Sequence, residues 1–99
     1  MFQDSSKDAF LILRKDFDLP ELKESFDEGQ AILLLSKAVS QLLDRDFERL
    51  LQICYRIDLG EEKLKKILHE SEPDQVSLDL ARALWERQKL KIEIRKRYS

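Results

Sequence analysis

Cys54 and His69 are the only cysteine and the only histidine, so a Ser-His-Asp or Cys-His arrangement or a zinc site would have to use them. A Ser-His-Asp or Cys-His arrangement would need His69 as its base. Its acidic neighbours are Glu70 and Glu72, and no nucleophile motif accompanies it. His69 reads instead as a surface residue near a helix C-terminus. Cys54 falls on the apolar stripe of an amphipathic segment and reads as a small buried residue. A reactive thiol needs a basic or helix N-terminal setting, which this position does not suggest. Zinc sites want clustered Cys and His, and ferritin-like di-metal centres want two Glu-x-x-His pairs plus two further Glu. One residue of each type supplies neither. Gly29 and Gly60 are the only glycines, so a glycine-rich phosphate loop is excluded, and no calcium loop is present. Asp16, Asp18 and Glu21 read as loop and cap residues. The expectation is no catalytic residue, no metal and no cofactor. A carboxylate site assembled only in three dimensions is the remaining route to an enzyme.

Charge is the second source of chemistry, and it is unevenly spread. Residues 1–30 hold eight acids and four bases, 31–58 hold four of each, and 59–80 hold six acids and three bases. Residues 81–99 hold seven bases and two acids, in a chain whose net charge is −2. Within this basic end, Arg82, Glu86, Lys89, Glu93 and Arg97 alternate in sign at helical spacing and can pair along one face. Arg87, Lys91 and Arg95 repeat every fourth residue on another face with no acid among them. Leu90 and Ile94 flank that stripe. The stripe could cover apolar surface with its long stems, or pair with the acidic N-terminal segment that includes Glu21, Glu24, Asp27 and Glu28. It could equally dock an acidic partner.

Trp85 lies with Leu78, Ala81 and Ile92 on a stripe distinct from that of Val76, Leu80, Leu84 and Ile94. Two apolar stripes on one helix mean two packing surfaces. Either both are covered within the domain, or one is left for a partner, where Trp and Arg are typical anchors. The candidate partner-binding set is Trp85, Arg87, Lys91 and Arg95.

The elements that must position these residues are helical. The chain has 99 residues, 42% hydrophobic and 38% charged, with two Gly and two Pro. Leu-rich composition with Glu, Lys and Arg favours helix, and so few turn and β-branched residues argue against a sandwich. The spacing predicts an all-α single domain, a compact bundle of five or six helices with a long C-terminal one. Residues 1–29 form an acidic N-terminal helical segment and 30–97 the core bundle. The first helix runs to Phe17 with Phe10, Leu13 and Phe17 inward. A short second one spans 21–27, presenting Leu22 and Phe26, and Gly29 ends or bends it. The segment 30–44 is apolar over more than half its girth, which places it at the centre of the bundle or at a subunit interface. The next, 46–57, directs Phe47, Leu50, Leu51, Cys54 and Ile57 inward. Asp58 with Glu61 predicts a capping box for a helix over 59–70. The last helix covers 74–97. The chain shows no internal repeat.

The run Asp46-Phe47-Glu48-Arg49-Leu50-Leu51, then Tyr55-Arg56-Ile57-Asp58, Glu61 and Lys63-Leu64, with Ala83 and Glu86-Arg87-Gln88 beyond, resembles a family of small uncharacterised all-helical bacterial proteins. The resemblance spans roughly residues 30–97 and leaves out the acidic segment. It implies a bacterial helical bundle and brings no activity or site residue.

These observations together predict a small non-catalytic interaction or regulatory protein, able to form a homodimer, with no small-molecule substrate. The alternative is a protein that contacts nucleic acid non-specifically through the basic end. Against it, a recognition helix over 59–70 would carry Glu61, Glu62 and Glu70, which repel phosphate, and Lys63, Lys65 and Lys66 only roughly cancel them. There is no signal-peptide pattern, and the longest apolar stretch, 31–43, is too short and too polar to span a bilayer. A lone cysteine fits a reducing compartment, so the cytoplasm is expected.

Overall fold

A computed structural model describes residues 5–20 and 27–98. Five helices follow in order: α1 (Ser5–Phe17), α2 (Glu28–Arg45), α3 (Phe47–Ile57), α4 (Glu61–Glu70) and α5 (Val76–Arg97). No strand occurs among the described residues, and the protein is all-α. The helix expected over 21–27 falls on residues 21–26, outside the described residues, apart from Asp27.

Helix starts follow from side-chain caps. Asp27 precedes α2, and its Oδ1 accepts from the Gly29 N–H at 2.9 Å. Gly29 therefore lies in the first turn of α2 and neither ends nor bends an earlier helix, because Asp27 satisfies an amide that the helix itself leaves open. Asp46 closes α2 and opens α3. Its N–H donates to the Leu42 carbonyl, and its Oδ1 accepts from the Arg49 N–H at 3.2 Å.

The expected capping box at Asp58 is not formed. Asp58 adopts the left-handed conformation, φ 64°, as the residue just beyond α3. Its N–H donates to the Tyr55 carbonyl and the Leu59 N–H donates to the Cys54 carbonyl, both at 3.1 Å. That is a Schellman closure. It takes Asp58 out of the extended conformation an N-cap requires, and Gly60, at φ 100°, becomes the residue before α4. The end of α1 is built the same way. Asp18 sits at φ 53°, and the Leu19 N–H donates to the Arg14 carbonyl at 3.0 Å. In both corners an aspartate holds the place glycine usually takes, and the leucine after it is buried. The chain then leaves through Pro20 in one corner and Gly60 in the other.

α5 is the axis of the molecule. It touches all four other helices, and its 22 residues make a rod about 33 Å long. Between Glu72 and Val76 the chain makes a turn, closed by the Gln75 N–H donating to the Glu72 carbonyl, so α5 starts later than residue 74. α2 packs against α1, α3 and α5, which is where its broad apolar girth goes; Ala31, Leu35 and Val39 are buried. The core is not confined to residues beyond 30: Phe10, Leu13 and Phe17 of α1 join the same cluster as Leu50, Leu80, Leu84 and Trp85. On α3 the inner stripe is Leu50, Ile53, Cys54 and Ile57, while Phe47, expected inside, is 42% exposed. Ile53 takes the place it was expected to fill. Burial pushes the Cys54 thiol up to about 11 from its ordinary 9.0.

Candidate functional site

Successive residues of a helix are about 100° apart, so Val76 and Ile94, five full turns from one another, point the same way. Ala83 and Leu90 lie close to that direction. In the first half of α5 the sector is covered. α4 lies along it, with its C-terminal end held by a hydrogen bond from the Ser71 hydroxyl to Asp79 Oδ2 at 2.8 Å. Leu59 and Lys63, at the other end of α4, face Glu86, Arg87 and Leu90 across a cleft of about 290 Å³. α4 thus runs antiparallel to α5 and stops at Leu90. Beyond it the same sector is open: Leu90 is 45% exposed, Ile94 41% and Tyr98 82%. These three follow at every fourth residue and form one apolar strip.

Trp85 belongs to the covered half. It is 1% exposed, among the largest fully buried side chains. In this fold its ring is enclosed by the chain's own core, so it is not a surface anchor. Ala81 and Ile92, on the same stripe, are buried too. The two apolar stripes of α5 are both packed against neighbours in its first half; only the stripe carrying Ile94 emerges.

The cations expected to form a docking stripe are partly engaged. Arg87 Nη2 donates to Asp58 Oδ2 at 3.1 Å. Lys91 Nζ donates to the Ile57 carbonyl oxygen at 3.1 Å. That carbonyl is one of the last in α3, which its own helix leaves open, and a cation there complements the negative end of the helix dipole. Arg87 and Lys91 thus clasp the α3–α4 corner onto α5. Arg95 is exposed and has no partner among the described residues.

The acidic N-terminal segment does meet α5, through different lysines. Lys89 lies 3.6 Å from Glu28 Oε2, which also accepts from the Ser6 hydroxyl. Lys96 pairs with Asp8 at 3.1 Å. Lys89 was expected to pair along its own helix; the neighbouring helix offers Glu28 instead. Glu21 and Glu24 lie outside the described residues.

A larger cleft, about 570 Å³, opens beside the start of α3 and the end of α1. It is lined by Lys15, Asp16, Asp46, Glu48, Arg49 and Arg56 with little apolar wall, and Arg56 pairs with Asp16 at 2.9 Å. Ligand pockets are mostly apolar with a few convergent polar groups, and this one has the opposite make-up. Among the described residues no three of His, Cys, Asp and Glu gather in a metal-binding arrangement. No helix of the described residues is long and apolar enough to cross a membrane.

The sequence already placed Leu90 and Ile94 beside the basic stripe. It lacked the information that α4 ends at Leu90, which is what turns these residues outward. Comparison with protein families, characterised proteins and solved structures gives no match.

Proposed function

We propose that this chain is a non-catalytic protein-interaction protein whose docking surface is the outer face of the second half of α5. The observation that carries the reading is the strip of Leu90, Ile94 and Tyr98, left open where α4 ends. Large apolar residues scattered singly on a surface are ordinary; Leu90 and Ile94 on the last turns of α5, with Tyr98 just beyond its end, stand in line, and we read that line as a docking surface. Arg95 beside the strip supplies the kind of polar rim that interfaces use. The reading keeps the cytoplasm as the compartment and bacteria as the source the resemblance implies. A nucleic-acid partner is served less well, because Arg87, Lys89 and Lys96 are paired with carboxylates within the chain.

The test compares the tagged chain with its Leu90→Lys/Ile94→Lys variant as baits in extract of cells that make it naturally. Bound proteins are quantified by mass spectrometry. The reading expects at least one protein retained by the native chain and lost by the variant, with circular dichroism spectra alike. Identical profiles overturn it.

A further inference from the structure

The strip has a chemistry that selects among partners. Lys91 and Arg95 lie on one side of it and Arg97 on the other, with Glu86 and Glu93 as the nearby acids on the Arg97 side. Lys91 donates to a carbonyl and not to a carboxylate, so three cations and two acids border three apolar side chains. From Leu90 to Tyr98 the strip is about 12 Å long, room for roughly two helical turns of a partner. The fold itself shows what this sector of α5 accepts. α4 is a short amphipathic helix that buries Leu64, with Glu61 and Glu62 in its first turn and Lys63, Lys65 and Lys66 after them, so it shows the shape this sector takes and leaves the charge to the rim. Its end leaves the cleft of Leu59, Lys63, Glu86, Arg87 and Leu90, where an apolar side chain of a second helix would lodge between Leu59 and Leu90.

Resting on the interaction reading above, we infer that the strip takes a short acidic amphipathic helix of another protein, laid on α5 end to end with α4. Its apolar face covers Leu90, Ile94 and Tyr98, and its carboxylates meet Lys91, Arg95 and Arg97. This is helix-in-groove recognition. A second copy of this chain fits less well, since a stable interface buries about 800 Å² on each partner and a two-turn strip offers far less. The contact is therefore weak and reversible, and it weakens with salt because Arg95 and Arg97 are exposed.

The experiment titrates the full chain into a dye-labelled synthetic helix of about 18 residues, with Leu along one face and Glu on both flanks. A second peptide carries Lys at every Glu position. Fluorescence anisotropy is read at about 50 mM and about 300 mM salt, where the screening length differs roughly twofold. The Glu peptide binds, and the Lys peptide binds at least about tenfold more weakly, as like-charge juxtaposition demands. Leu90→Lys/Ile94→Lys and, separately, Arg95→Glu/Arg97→Glu each weaken the Glu peptide by a similar factor. Equal binding of the two peptides, binding of neither, or indifference to both variants overturns the inference. So does a dimer by light scattering that Leu90→Lys/Ile94→Lys dissolves, which makes a second copy the occupant, or displacement of the Glu peptide by duplex DNA. A failed peptide titration beside a partner that the native bait alone retains rejects the acidic helix and leaves the docking surface standing.

Discussion

The two halves of α5 are one continuous helix with opposite tasks. From Val76 to Gln88 it is a core element, with Leu80, Ala81, Ala83, Leu84, Trp85 and Gln88 all buried. From Leu90 onward only Ile92 is buried, and apolar residues face water. Apolar spacing does not separate the halves, since each offers large apolar residues at helical spacing, but charge does: six of the nine residues from Lys89 to Arg97 are charged, against four of the thirteen from Val76 to Gln88. The length of the neighbour differs too. α4 has ten residues and reaches no further than Leu90. A helix face is therefore core or surface according to where the adjacent helix stops.

Substitutions in the two halves should differ by an order of magnitude in stability. Trp85→Ala empties a fully enclosed site and is expected to cost about 3–5 kcal/mol in urea unfolding. A loss below about 1 kcal/mol, as at ordinary surface positions, would break the contrast. The next effect is a pH dependence of the interior. Above pH 9.0 the unfolded Cys54 thiol ionises, while the buried one stays protonated to about 11. The native state then holds the extra proton, so the contribution is full below pH 9.0 and falls as pH rises to about 11. The slope is up to about 1.4 kcal/mol per pH unit, and Cys54→Ala should remove it from unfolding curves taken across this range.

Smaller effects sharpen the boundary between the halves. Lys91→Met keeps the stem but removes the bond to the Ile57 carbonyl, and about 1 kcal/mol should be lost. Hydrogen exchange should then quicken at the last turn of α3; no change there would mean the clasp is idle. Asp18→Gly relieves a left-handed residue without removing an ion pair seen among the described residues, and a gain of about 0.5–1 kcal/mol is expected. Leu90→Lys/Ile94→Lys should move stability by no more than about 0.5 kcal/mol, since neither side chain fills the core. A larger loss would show that the open half supports the fold after all.

Much of this arrangement is legible in the sequence because helix periodicity is a local property. The stripes of Leu13 and Phe17, Leu35 and Val39, and Leu50 and Cys54 are buried as their spacing requires. The break between the segments expected over 30–44 and 46–57 is where Asp46 stands, because its side chain reaches the Arg49 amide three residues on. Asp58 forms no such cap, because the same residue type also tolerates the left-handed conformation. Which role wins depends on Leu59 finding a place in the core. The candidate site was half legible. Leu90, Ile94, Arg87, Lys91 and Arg95 are adjacent on one helix and visible by counting. The enclosure of Trp85, and the engagement of Arg87 by Asp58 and Lys89 by Glu28, depend on helices remote in sequence. No periodicity encodes them.

That α5 touches every other helix also sets the timing of the protein's birth. α1 to α4 reach the ribosome's exit before the rod they share, and at about 5–20 residues per second α5 takes roughly one to four seconds to be made. Through that interval Leu13, Leu35 and Leu50 have no common wall, and the nascent chain offers apolar surface to chaperones. A copy interrupted near residue 75 lacks the helix that all four others touch.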